Sequence, residues 1–364
     1  MRLSRITLQQ FRNIPFASLA LDGVRHFVLG RNGQGKTNLL EAVGYLTALR
    51  SFRTSDSRHM IAHGQDEAAM GFELEHGRRG PTHAAIRLRP DGREITIDSE
   101  KVTRLSGFIG QFPTVVFCSQ DQQLIRGNPA GRRRWLDLTL AAVDGGYLQA
   151  LQRYHRALAD RNALLRRNAG EPELAAFERP LAEHGARLIA ARISGLEQLA
   201  AGLQQAYSRI ALSSRQDRMG FAYAPNAGDG VAGSLAEMFA KGRARDMRYR
   251  TTLTGPHRDD VEFTLDGHPA RVVASEGQQR SLVLALRLAQ AEWFRNHSGT
   301  PPLILADDVL GELDEERRAG FWAAVPDDWQ VIATGTERPR APGQAWQFLH
   351  VENGRFSAEL PASV

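Results

Sequence analysis

Gly30-Arg31-Asn32-Gly33-Gln34-Gly35-Lys36-Thr37 decides the fold. It has the G-x-x-x-x-G-K-[ST] spacing of a phosphate-binding loop. The flanks agree with it. Arg25-His26-Phe27-Val28-Leu29 ahead of it reads as a short buried strand. Residues 38–43 behind it open a helix, with apolar residues at helical spacing, that runs to about Leu49. Phosphate binding needs this order of strand, glycine loop and helix N-terminus. Gly30, Gly33 and Gly35 admit backbone conformations closed to residues with a Cβ. Successive N–H groups then point into one concavity, and the helix dipole adds to the attraction. Lys36 reaches the β and γ phosphates, and Thr37 offers a hydroxyl to Mg²⁺. Arg31, Asn32, Gln34 and Asn38 complete the candidate nucleotide-binding set at this loop.

The composition is that of an ordinary globular protein. The 364 residues are enough for two domains, with 24% charged and 42% hydrophobic. The single cysteine, Cys118, excludes an internal disulfide and fits a reducing, cytoplasmic setting. The N-terminus shows no secretory signal, and no apolar run reaches the ~18 residues of a membrane span. The net charge of +5 permits a polyanionic partner. Lysine occurs only at Lys36, Lys101 and Lys241 in a chain that otherwise uses arginine. The loop has it where a compact ammonium is needed.

Outward from the loop, residues 1–30 read as strands. Leu3, Ile6 and Leu8 form one apolar set, and Asp22-Gly23 reads as a hairpin turn. Residues 71–97 alternate in short segments, a β meander, and Thr114-Val115-Val116-Phe117 is a further buried strand. From Arg132 to about Ile210 the apolar spacing becomes helical, broken near Ala169-Gly170-Glu171-Pro172. Residues 213–234 read as a loop. β character returns at 260–265, closed by Asp266-Gly267, and a strong helix is expected over 281–294. Strands at 330–334 and from 347 onward close the chain. The fold expected is α/β: a P-loop ATPase head of the ABC type, with a mixed sheet and a β subdomain, and an inserted α-helical arm. The divisions expected are 1–130 and 246–364 for the head and 131–245 for the arm.

The second half of the chain selects among P-loop proteins. Leu303-Ile304-Leu305-Ala306-Asp307 is an apolar strand ending in a carboxylate, the Walker B pattern, so Asp307 joins Thr37 as a candidate Mg²⁺ holder. Asp308 stands next to it as candidate general base. Ser275-Glu276-Gly277-Gln278-Gln279-Arg280 opens a helix and resembles the ABC signature; Ser275, Gly277 and Gln278 are its nucleotide candidates. By itself this segment also reads as a capping pair, Ser275 at N-cap and Gln278 at N3. It precedes Walker B by about one helix and one strand, the ABC order, and Gly311-Glu312-Leu313-Asp314 follows where a D-loop belongs.

Within the SMC-like ABC ATPases the match narrows further. Gln10-Phe11-Arg12-Asn13, Ser51-Phe52-Arg53-Thr54, Arg132-Arg133-Arg134-Trp135-Leu136-Asp137, Thr254-Gly255-Pro256-His257-Arg258-Asp259-Asp260 and 307–314 all resemble the RecF family, bacterial recombination mediators. The resemblance implies a slow, DNA-dependent ATPase with ATP and Mg²⁺ as ligands and an ATP-dependent homodimer. It implies binding to double-stranded and gapped DNA at single-strand/double-strand junctions. It further implies cooperation with RecO and RecR to load RecA, and no membrane partner. Some positions depart from the pattern. Asp308 stands where most ABC ATPases have Glu, a methylene shorter, which fits slow turnover. Thr334-Gly335-Thr336 replaces the usual histidine, and Ser119-Gln120-Asp121 replaces Pro-Glu-Asp, with Gln120 the Q-loop candidate.

The candidate DNA surface is the arm. Residues 151–250 carry a net charge of +6. Arg153, Arg156 and Arg161 sit at spacings that share a helix face, and Arg132, Arg133 and Arg134 stand at the root. The competing account is that these arginines are solvated or pair with Glu173, Glu178 and Glu183. Competing readings of the whole chain are another SMC-like chromosome-maintenance head, disfavoured by the short arm, and a transporter ATPase subunit.

Overall fold

In the computed structural model of the chain, residues 1–54, 56–211, 217–226, 232–339 and 345–358 are described. They form two compact units: Met1–Asp121 with Ala206–Ser214 and Leu284–Val364, and Gln122–Gln205 with Arg215–Val283.

In chain order the first unit opens with β1 (Arg2–Phe11), β2 (Ile14–Ala20), β3 (Arg25–Leu29), α1 (Lys36–Ala48), β4 (Ala68–His76), β5 (Gly80–Arg89), β6 (Gly92–Ile97), β7 (Glu100–Lys101) and β8 (Thr114–Cys118). The second holds α2 (Gln123–Arg126), α3 (Pro129–Ala141), α4 (Gly145–Arg166), most of α5 (Glu171–Ala211), β9 (Met219–Ala224), α6 (Ala232–Tyr249), β10 (Asp260–Leu265), β11 (His268–Pro269), α7 (Ala270–Val273) and the start of α8 (Glu276–Ser298). The chain ends in the first unit with β12 (Leu303–Asp307), α9 (Glu315–Ala324), β13 (Val331–Gly335), β14 (Gln347–Glu352) and β15 (Arg355–Ala358).

The first unit contains two six-stranded sheets. One is an antiparallel meander, β2-β1-β4-β5-β6-β7. Its strands bury alternate residues, as a sheet with one face on the core must. Leu3, Ile6 and Leu8 share that face despite the odd spacing of the first two, because a register shift between Leu3 and Arg5 restores the parity. The other sheet runs β15-β14-β3-β13-β12-β8, parallel except for the terminal β15. Strands β3 and β13 are buried at every residue, which suits their apolar segments Phe27-Val28-Leu29 and Val331-Ile332-Ala333; Arg25, His26 and Thr334 are buried polar residues of the same strands. Helix α1 packs on strands of both sheets, and Leu39, Leu40, Val43 and Leu46 join their cores. This mixed α/β head matches the fold class read from the sequence.

Three local expectations change. Asp22-Gly23 is not a hairpin turn, since β2 and β3 belong to different sheets. The hairpin of this region is β1–β2, with Phe11 opposite Ile14 and Arg12 at φ 55. The expected loop 213–234 contains β9, which pairs antiparallel with β10 from Asp260–Ala224 to Leu265–Met219; residues 213–216 and 227–231 of it lie outside the described set. Helix α8 begins at Glu276 rather than at 281. The β10–β11 turn falls at Asp266-Gly267 as read, both at positive φ.

The compact units also divide at other places than 131 and 246. Residues 246–283 fall in the second unit, because β10 takes its hydrogen-bond partner from β9 and carries α3 on it.

The second unit is braced by buried ion pairs. Arg192, 2% exposed, donates to Asp137 at 2.8 Å, Asp259 at 2.9 Å and the Pro256 carbonyl at 2.8 Å. Tyr147 donates to Asp137 and Tyr223 to Asp259. Charge-assisted bonds of this kind keep the buried carboxylates paired, which buried charges require.

Candidate functional site

The parallel strands align their C-terminal ends. Leu29 stands opposite Gly335, Thr334 opposite Asp307, and Asp307 opposite Cys118. In open α/β sheets this edge is where ligands bind. The loop 30–35 leaves β3 at that edge and enters α1. Gly33 and Gly35 take φ of +80 and +121, which a side chain with Cβ resists. Gly30 is required for another reason: a Cβ there would stand 2.6 Å from the Val351 carbonyl oxygen. Lys36 is 4% exposed and folds back over the loop, donating to Gly30 O at 2.6 Å and Arg31 O at 3.3 Å.

Thr37 and Asp307 meet. The Thr37 hydroxyl donates to Asp307 Oδ1 at 2.9 Å, and Thr334 Oγ1 donates to the same oxygen at 3.1 Å. Burial raises the Asp307 carboxyl above the ordinary aspartate range; the two hydroxyl donors oppose that, neighbouring Asp308 adds to it, and Arg53 opposes it. A desolvated carboxylate beside a threonine hydroxyl is a hard oxygen pair, which fits Mg²⁺ bound through few protein ligands and several other oxygens. No larger cluster of His, Cys, Asp and Glu suited to a metal occurs among the described residues. Asp308 is exposed and left-handed at φ 56, with its backbone N–H on Thr334 Oγ1 at 3.1 Å.

A second layer of polar side chains, absent from the motif pattern, lies behind the loop. Glu41 of α1 is fully buried and accepts both Nε and Nη2 of Arg12, at 2.9 and 2.7 Å, with Ser51 and Arg53 on the same carboxylate. Arg53 also donates to Asn38 Oδ1 at 2.6 Å, Asn38 to Asn13 Oδ1 at 2.7 Å, and Asn13 to the Gly33 carbonyl at 3.2 Å. The two short motifs around Arg12 and Arg53 thus converge on the helix of the phosphate loop. Asn38, read as a nucleotide candidate, is a link in that chain. The signal in the sequence was Glu41, a carboxylate among the apolar residues of α1. Thr334, which stands in place of the usual histidine, touches both members of the acidic pair.

In the second unit, Ser275 caps α8. Its Oγ accepts the Gln278 N–H at 3.3 Å, and its own N–H is taken by Gln278 Oε1 at 2.9 Å, the reciprocal capping box. The Gln278 amide also donates to Asp217 at 2.9 Å. Gly277 is half-buried in the first turn. Of the remaining motif residues, Gln120 is exposed, whereas its neighbour Asp121 pairs with Arg287 at 2.6 Å and accepts the Cys118 N–H. His257 accepts from Tyr154 and donates to the Thr252 carbonyl; burial lowers its pKa to about 4.

The arginine set divides. Arg161 is fully buried, with Asp246 at 2.7 Å, Thr252 at 2.9 Å and Glu178 at 3.3 Å. It lies on the buried stripe of α4 with Tyr154, Ala157, Leu158 and Leu165, so it cannot reach DNA. Arg132, 4% exposed, is bidentate to Asp260 at 2.8 Å and is likewise withdrawn from the DNA set. Arg133 is half-buried on the Asp259 carbonyl. Arg134, Arg153 and Arg156 are exposed. No described helix is long and apolar enough to cross a membrane.

A phosphate loop on a parallel sheet, an acidic strand end against its threonine, and a second unit with a capped signature-like helix define an ATPase head of the ABC type. The family model described as RecF/RecN/SMC N terminal domain matches residues 2–340. The chain is 38% identical to the DNA replication and repair protein RecF of Thermosynechococcus vestitus over 92% of its own length and 91% of that protein. It is 38% identical to the same protein of Geobacter sulfurreducens, with 93% of each covered. Among solved structures, the recombination mediator RecF with ATP, from the RecFOR pathway, superposes with a TM-score of 0.91 at 27% identity, covering 98% of this chain and 97% of that one. An SMC head bound to the C-winged helix domain of ScpA shares the fold alone, with a TM-score of 0.56 at 14% identity and 99% and 98% covered. The chain belongs to the RecF family of DNA replication and repair proteins.

Proposed function

We propose that this RecF-family chain binds ATP on the loop 30–37, dimerises on DNA in that state, and is reset by slow hydrolysis. The observation that carries the reading is the junction of Thr37, Asp307 and Thr334 at the end of the phosphate loop. The loop amides and Lys36 hold phosphate oxygens. Thr37 and Asp307 hold Mg²⁺, which supplies charge neutralisation to the phosphates. Asp308, exposed and fixed through its backbone by Thr334, orients the attacking water as general base. The ATP-bound structure of a relative with the same fold supports ATP as ligand. Its place in the RecFOR pathway supports RecO and RecR as partners; cytoplasmic action upstream of RecA on double-stranded and gapped DNA belongs to the same proposal.

Fluorescent-ATP titration and phosphate release, with and without gapped DNA, test this. Lys36→Met should weaken Mg-ATP binding by at least tenfold, since it removes a charge-assisted phosphate contact. Asp308→Asn should bind Mg-ATP as the wild type does and release no phosphate. Turnover of Asp308→Asn at the wild-type rate would remove Asp308 as the base.

A further inference from the structure

The carboxy-terminal hairpin has a part in the site that its distance in sequence conceals. Strand β14 runs parallel to β3, pairing Gln347 with His26 and His350 with Leu29, and continues past the strand end. Val351 then lies against Gly30. The turn that follows, Asn353-Gly354, lies on the phosphate loop itself. The Gly354 N–H donates to the Gln34 carbonyl at 2.9 Å, and the Asn353 N–H donates to Gln34 Oε1 at 2.6 Å. Both turn residues are left-handed, Asn353 at φ 48 and Gly354 at φ 74. A Cβ on Gly354 would stand 2.0 Å from the Asn13 carbonyl oxygen, so the turn is wedged between the loop and the β1–β2 hairpin.

A planar trans peptide points its C=O and the following N–H in opposite directions. The Gln34 carbonyl is tied outward to Gly354, so the Gly35 N–H faces the other way. The Gly33 carbonyl is tied to Asn13 in the same manner, which turns the Gln34 N–H. We infer that Asn353 and Gly354 are positioning residues for ATP: the turn holds the Gln34–Gly35 peptide so that its N–H faces the phosphates. The inference rests on the reading that the loop 30–37 binds ATP. By linkage, ATP that orders this peptide must also steady the turn that holds it.

Fluorescent-ATP titration of Gly354→Ala and, as a control on the same hairpin, Ser357→Ala, beside wild type and Lys36→Met, tests the inference. Gly354→Ala displaces the turn and should raise the Kd for Mg-ATP about tenfold. Ser357 is exposed on β15, and Ser357→Ala should stay within about twofold of wild type. Wild-type affinity in a folded Gly354→Ala variant overturns the inference. If Gly354→Ala fails to fold, hydrogen exchange of the wild type decides. Protection of the Asn353 and Gly354 amides should rise with saturating ATP, and unchanged exchange there overturns the inference too. Failure of the underlying reading looks different: wild type and Lys36→Met would then bind ATP equally poorly.

Discussion

To hold Mg²⁺ as proposed, Asp307 has to be ionised in a place that disfavours ionisation. Burial raises its pKa and Asp308 raises it further, while Thr37 and Thr334 donate to the charged form. A carboxyl whose folded pKa lies above its unfolded value favours folding most below the unfolded value. That contribution is lost as pH rises through the folded pKa. A divalent cation on the ionised form offsets the penalty. Two outcomes are expected. The Mg²⁺-dependent part of ATP affinity should fall on acidification at a higher pH than an ordinary aspartate would give. Asp307→Asn should lose the Mg²⁺ dependence while leaving the unfolding temperature without nucleotide, at pH 7, no lower than wild type. Magnesium titrations at pH 5 and pH 7.5 check the first, and an Asn variant with normal Mg²⁺ dependence contradicts both. At this scale the sequence was readable where partners are close or spacing is rigid, as in 30–37 and 303–308. Thr334 and Glu41 were not, because Thr334 meets Asp307 from 27 residues away and Glu41 meets Arg12 from 29.

Helix α4 shows what spacing alone can and cannot decide. Arg153, Arg156 and Arg161 have the separations of a shared face, but Arg161 falls on the stripe that packs inward, and Asp246 and Glu178 receive it there. Removing one partner of a buried pair leaves charge without compensation. Arg161→Ala should therefore destabilise the chain by about 3 kcal/mol, read as a lower denaturant midpoint. Arg153 and Arg156 are exposed and have no ion-pair partner among the described residues. Reversing both to Glu should leave stability within about 0.5 kcal/mol. It should also lower duplex affinity in ATP and flatten its salt dependence by about 0.9 for each phosphate no longer neutralised. Unchanged affinity and salt slope would move the DNA surface off α4. The same limit governs the other elements. Gly23 has the left-handed backbone of a turn, yet its two strands enter different sheets. Strand β9 is short and rich in small residues, and its pairing with β10 across the intervening chain makes it a strand.

At the scale of the molecule, the loop 30–37 lies in one compact unit and Ser275 in the other, each at the start of its own helix. Ser275 is exposed at the head of the 23-residue α8, and its oxygen already accepts the Gln278 N–H. An exposed, capped helix start carries the positive end of the helix dipole outward, ready for an anion that its own unit does not supply. In the proposed dimer that anion is the terminal phosphate of ATP held by Lys36 of a second copy. An ATP that binds the dimer more tightly than the monomer would then act as mass-action glue between subunits. Ser275→Arg places bulk at this surface and removes the cap, which costs about 1 kcal/mol of helix stability. A thermal-unfolding control registers that cost separately. The variant should bind fluorescent ATP within about twofold of wild type, because the loop 30–37 is intact. In sedimentation with Mg-ATP it should remain monomeric where wild type shifts to dimer, and Asp308→Asn should hold the dimer longest. A Ser275→Arg chain that dimerises with ATP as wild type does would show that the second copy's phosphate is read by some other surface.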